Sequence, residues 1–230
     1  MAVKIVRQPN LIALIGAPTS AAAHGPGNEK APAALRAAGL VERLNAAGFM
    51  VNDLGDVETQ LFRQDDESPR ARNLDGVVRA LNALRPKVEE AAKSGALPLV
   101  LGGDCTIALA TVAAVRRYYR HVGLLYMDRH PDLNVPASTP SGRLAGMVLA
   151  HVVGRGAPEL VRFWNEPPLV REPDISLFGC EDYDTYERDL LRTSPIRHFS
   201  ANEILRRGVA WSAQSAVEHI HSDARHFVLH

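Results

Sequence analysis

Short apolar runs recur along the chain at residues 11–16, 49–54, 97–101, 122–127, 175–179 and 227–229. Most stop at a glycine, a proline or an acid. The stretches between them are too long for hairpins. A brief apolar run without alternation reads as a strand covered on both faces. Several of the intervening stretches read as helices. Leu74, Val77, Val78, Leu81, Leu84, Val88 and Ala91 recur at helical spacing, which predicts an amphipathic helix over residues 72–94. Pro32 opens another that runs to residue 47, with Leu35, Ala38, Leu40 and Leu44 near one face and Gly48 after its end. Further helices are expected up to about residue 119 and over 142–153, 184–192 and 211–222, with 155–173 irregular. Strands that alternate with helices imply a mostly parallel sheet between helical layers, a three-layer α/β/α fold. No composition shift or repeat divides the 230 residues, so one domain is expected.

In such sheets ligands bind beyond the carboxyl ends of the strands. Three of those ends carry reactive groups: Gly103-Asp104-Cys105 after the third run, Asp128 to Asp132 after the fourth, and Glu181 to Asp184 after the fifth. The densest is GLLYMDRHPDLN, residues 123–134, where an uncharged run gives way to Asp128, Arg129, His130, Pro131 and Asp132. Two carboxylates and an imidazole within five residues suit a hard or borderline divalent cation. The alternative is a polar turn that caps a strand.

Composition excludes several partners. Lys plus Arg equals Asp plus Glu at 26 each, which offers no electrostatic footprint for nucleic acid or a membrane surface. No apolar run approaches the length of a membrane span. The N-terminal apolar run is short and follows Pro9 and Asn10, unlike a signal peptide. Cys105 and Cys180 are the only cysteines, too few for a disulfide framework. A cytoplasmic protein is expected.

The motifs GGDCT at 102–106, DRHPDLN at 128–134, SGRLAGM at 141–147 and GCEDYD at 179–184 resemble, in this order and spacing, those of the arginase family of ureohydrolases. IGAP at 15–18 and Gly55-Asp56 fit as well. The resemblance implies hydrolysis of a C–N bond in a small linear guanidino or amidino compound, such as arginine, by water activated between two bridged manganese ions. A guanidinium is a poor electrophile, and paired metals lower the pKa of a shared water. The resemblance makes Asp128, His130 and Asp132 metal ligands, with Asp132 also catalytic. It makes Asn134, Ser141 and Asp184 contacts for the amino-acid end of the substrate. From the residues alone, Asn134 and Ser141 read as turn-stabilising groups and Asp184 as a helix cap. A trimer or hexamer is common in the family.

The chain departs from the pattern at four places. Cys105 stands where the family has a ligand histidine in GGDH. A thiolate there shifts preference toward zinc or iron, and an inert buried cysteine is the other reading. Arg129 replaces the alanine of DAH. Its side chain either pairs with an acid on the far side of the strand end or opposes a second cation. Ala145 replaces a histidine thought to move protons to the departing amine, and His151 lies on another helical face. Residues 227–230 look like the strand that precedes the family's Asp-x-Asp ligand pair, and the sequence stops before those acids. The expectation is therefore a C-terminally incomplete member, one ion or none, and impaired hydrolysis. The competing reading is a non-catalytic binding or assembly protein, or a fragment of a longer enzyme.

Overall fold

The structure, a computed structural model, describes residues 5–163, 167–221 and 226–230. Residues 164–166 of the expected irregular stretch, and residue 222 at the expected end of the last helix, lie outside the described residues. The chain forms two compact units, one of Met1–Tyr118 with Ser141–Ala145, the other of Tyr119–Pro140 with Gly146–His230.

The first unit runs β1 (Leu11–Gly16), α1 (Ala31–Ala37), α2 (Leu40–Ala46), β2 (Met50–Asp56), α3 (Leu74–Lys93), β3 (Leu97–Leu101) and α4 (Ile107–Arg116). Its strands are parallel in the order β2-β1-β3. Central β1 is buried from Ile12 to Gly16, as its unbroken apolar run predicts. Edge strand β2 is largely exposed and polar, and Arg36 reaches Asp53 and Asp56 on it at 2.7 Å each. Charges on an edge discourage pairing with another chain. The single helix expected over residues 32–47 is instead α1 and α2. Gly39 separates them at φ 81°, a left-handed conformation that glycine adopts without a Cβ clash. Val77, Leu81, Leu84 and Val88 are buried on α3, which packs on α4, β1 and β3. α4 ends at Arg116, short of residue 119.

The second unit runs β4 (Gly123–Met127), α5 (Val148–Val152), α6 (Pro158–Val161), β5 (Ile175–Phe178), α7 (Thr185–Thr193), β6 (Arg197–Phe199), α8 (Ala201–Arg207), α9 (Val209–His221) and β7 (Phe227–Leu229). All four strands are parallel, in the order β6-β5-β4-β7. β4 lies inside this sheet and is buried up to Tyr126. α9 packs on β4, β5 and β6. Leu125, Phe199, Ile204, Ala216 and Ile220 form a buried cluster, with Phe178 and Val217 against it. The helix expected over 142–153 begins as a 3-10 turn at Leu144–Met147 and becomes α-helical at Val148. α6, β6 and α8 were not expected, and α6 lies within the stretch 155–173 that was expected to be irregular, where Pro158 opens it. Arg197-His198-Phe199 lacks an apolar run, and one buried ring, Phe199, anchors it. No helix among the described residues is long and apolar enough to cross a membrane.

Candidate metal centre

β4 delivers its chemistry where the ladder ends. The first residue past it, Asp128, accepts a hydrogen bond from the His130 N–H at 3.0 Å, so the loop turns back on its own carboxylate. The His130 ring is more than half exposed and lies 3.6 Å from Asp128 through Nδ1 and 3.6 Å from Asp182 through Nε2. Arg129 points outward. Its Nη2 sits 3.3 Å from Asp182 Oδ2 with two-thirds of the side chain exposed, so it pairs with an acid. Exposed pairs of this kind contribute about 0–1 kcal/mol. The Arg129 main chain is more firmly engaged. Its carbonyl accepts the N–H groups of both Glu181 and Asp182 at 3.1 Å, joining the loop after β4 to the loop after β5.

Asp132 turns the other way. It is buried, its backbone sits at φ 50°, and its carboxylate accepts the Tyr126 hydroxyl at 2.5 Å. Aspartate tolerates this left-handed region better than most residues. Burial pushes its carboxyl well above the usual carboxylate range; the Tyr126 bond opposes that, and the charges of Asp128 and Glu187 add to it. Glu187 is also raised, by burial first, although it accepts N–H bonds from Leu133 at 2.9 Å and Asp184 at 3.3 Å. Burial, with Glu187, Asp132 and Asp128 nearby, pushes the Cys180 thiol up to about 12. Buried acids that disfavour one another's charge suit a cation, and an oxygen-rich donor set suits manganese.

Asn134 and Asp184 meet directly: Asn134 Nδ2 donates to Asp184 Oδ2 at 2.8 Å, and Ser138 Oγ donates to Asn134 Oδ1 at 2.7 Å. Asp184 is also the N-cap of α7, in a capping box with Glu187. Its cap role and its place beside Asn134 therefore coexist. One residue that sequence reasoning did not single out joins the strand end. An oxygen of Asp128 and a ring nitrogen of His230 lie within 4.8 Å of each other. The signal was available, since His230 follows β7 as Asp128 follows β4. Burial lowers the His230 pKa while Asp128 raises it, which favours the neutral imidazole that metals bind.

The arginase family model matches residues 10–229. The chain belongs to the arginase family. It is 34% identical over 209 residues to the arginase of Brevibacillus brevis, covering 91% of this chain and 70% of that one. It is 32% identical to the Bacillus caldovelox arginase, covering 91% and 71%. The native Bacillus caldovelox arginase structure superposes with a TM-score of 0.88 at 30% identity, covering 95% of this chain and 74% of that one. A Trypanosoma cruzi formiminoglutamase variant with Mn2+ shares the fold at 18% identity and a TM-score of 0.70, covering 96% and 68%. The fold of this arginase-family chain is thus the three-layer α/β/α architecture with parallel strands.

Cys105 and Ser141 belong to the first unit. Cys105 is half-buried in the turn between β3 and α4. Its neighbour Asp104 is buried and structural, accepting from the Ala22 N–H at 3.1 Å, the Thr106 N–H at 3.1 Å and the Thr106 hydroxyl at 2.5 Å. Ser141 Oγ accepts from the Arg143 N–H at 3.2 Å, while Arg72 donates to the carbonyls of Ser141 at 3.1 Å and Gly142 at 2.9 Å. Gly142 is at φ 70°, and a Cβ there would stand 2.0 Å from the Pro69 carbonyl oxygen. Gly142→Ala is therefore expected to cost roughly 1–3 kcal/mol, read as a lower urea midpoint. An unchanged midpoint would show that this loop gives way freely. His151 is structural: it is buried, its Nε2 accepts from the Ala157 N–H at 3.1 Å, and burial lowers its pKa to about 4.

Proposed function

We propose that this arginase-family chain hydrolyses a C–N bond of a linear guanidino compound, arginine or a close relative, at a divalent metal centre. The observation that carries the reading is the group of acids around the end of β4, in which Asp132 and Glu187 are buried and Asp128 adds to the burden on Asp132. By their motif positions Asp128, His130 and Asp132 would hold the ion, which requires the His130 and Asp132 side chains, turned apart here, to rotate toward Asp128. Cys105 is included as a ligand from its motif position alone. Manganese is the family's choice, in pairs. One ion, or zinc or iron in its place, is compatible with a thiolate among the ligands. The ion supplies a lowered pKa for the attacking water, which a resonance-stabilised guanidinium requires.

The remaining work falls to the chain itself. Tyr126 fixes Oδ2 of Asp132, leaving Oδ1 to take the proton that the attacking water gives up. Asn134 and Asp184 hold each other, so a substrate carboxylate or amine that engages one meets a partner already oriented. Ser141 is included as a substrate contact from its motif position alone. Ala145 has no proton to give, so the departing amine takes its proton from solvent and turnover is slow.

Urea release from arginine and other guanidino compounds, with manganese, zinc or iron supplied, tests the reading. Absence of turnover with every metal sinks it for this chain. Ala145→His is expected to raise kcat by about 10²-fold or more while leaving KM nearly unchanged. An unchanged kcat would show that proton delivery does not limit the rate. The observation that favours the second reading, a binding protein on the same fold, is this same missing imidazole. Equilibrium dialysis that finds no bound metal would support it.

A further inference from the structure

We propose that His230 is a metal ligand of this chain and binds the same divalent ion as Asp128; this rests on reading the end of β4 as a metal centre. None of the motifs that mark the family in this sequence includes His230. The argument begins with register. β4 and β7 pair in parallel with Leu125 opposite Leu229, so the next step sets Tyr126 beside His230. That step is secured twice: the His230 N–H donates to the Leu125 carbonyl at 2.9 Å, and the Met127 N–H donates to the His230 main-chain oxygen at 2.7 Å. Alternate residues of a strand share a face. Tyr126 lies on the face of β4 that Asp128, two residues on and just past the strand, continues, and the His230 ring stacks on Tyr126 with centroids 4.7 Å apart and planes 18° apart.

The ring is thus held in place before any ligand arrives. It presents a nitrogen within 4.8 Å of an Asp128 oxygen. An ion with bonds of about 2.1 Å bridges donors up to about twice that far apart, so a small rotation of either side chain brings both onto one ion. An imidazole and a carboxylate together suit manganese, zinc or iron. Tyr126 also bonds to Asp132, so one aromatic ring braces His230 through its face and Asp132 through its hydroxyl.

The test is equilibrium dialysis of the 230-residue chain against manganese chloride and zinc chloride, with His230→Phe and Asp128→Asn as variants. Phenylalanine keeps a ring to stack on Tyr126 and removes both nitrogens. The expected result is a Kd for each metal at least tenfold weaker in His230→Phe, since even losses outside the ligand sphere cost about 10–100-fold. The visible band of the cobalt-loaded chain should shift in the same variant. Melting without metal should stay near that of the parent. If His230→Phe does not fold, His230→Gln is judged by the same measurements. Parent-like affinity and an unshifted cobalt band in the nitrogen-free variant would overturn the proposal. Should Asp128→Asn lose the metal while His230→Phe keeps it, the metal centre stands and the role of His230 falls. If the parent binds neither ion, both fall together.

Discussion

Asp132→Asn is expected to raise the melting temperature of the metal-free chain and to abolish its stabilisation by manganese. The side chain is buried, and burial together with Asp128 and Glu187 raises its pKa in the folded state. In the unfolded chain the carboxyl titrates near 3.9. A folded pKa above the unfolded one means that the unfolded state ionises first. Stability contributed by this group is therefore present below about pH 3.9, and it is lost as pH rises from there through the raised folded value. At neutral pH the metal-free parent carries that loss and the amide does not. Asparagine also still accepts the Tyr126 hydroxyl. The cation reverses the ranking. At about a hundredfold excess over its Kd, manganese adds about 2.7 kcal/mol to the parent, roughly 5–10 °C for a chain of this size. The variant should gain none of it, and its urea release should vanish. Scanning calorimetry across pH, with and without manganese, reads both signs. If the metal-free variant melts below the parent at neutral pH, burial of the Asp132 charge does not cost the folded chain stability. If manganese still stabilises the variant, Asp132 is not a ligand.

Phe199→Ala should cost about 3–5 kcal/mol, because a fully buried aromatic ring leaves a large cavity. Phe199 lies in the cluster of Leu125, Ile204, Ala216 and Ile220, with Phe178 at 6.0 Å between ring centroids and the Arg197 guanidinium 4.0 Å over its face. It is the one large buried side chain of β6, and the ladder to β5 depends on β6 staying docked. A melting temperature lower by roughly 6–20 °C is the expected reading. Since the cluster includes Leu125 of β4, metal affinity should weaken as the strand ends loosen. A loss under about 1 kcal/mol would mean that the cluster is not a core in solution.

The motif-bearing strand ends could be read from the sequence because they rest on short-range rules. Apolar runs without alternation became β1, β3, β4 and β5, and the helical period of Leu74 to Ala91 became α3. Where burial depends on distant partners, the reading fell short. β6 has three residues and one buried ring, so no run announced it. The helix expected over residues 32–47 ran through Gly39, whose φ of 81° divides it. At the site, the opposite directions of His130 and Asp132 depend on Asp182, Tyr126 and Glu187, and two of these lie on a loop and helix some 50 residues later. His230 escaped notice because its importance lies in strand order, which places β7 beside β4.

The loop after β4 also bears on how freely this sequence can drift. At position 129 the protein uses the carbonyl, which holds the Glu181 and Asp182 amides, and leaves the side chain two-thirds exposed. Every residue type has that carbonyl. A substitution at position 129 can therefore leave the join between the two loops intact, and what it alters is the sharing of Asp182 with the His130 ring.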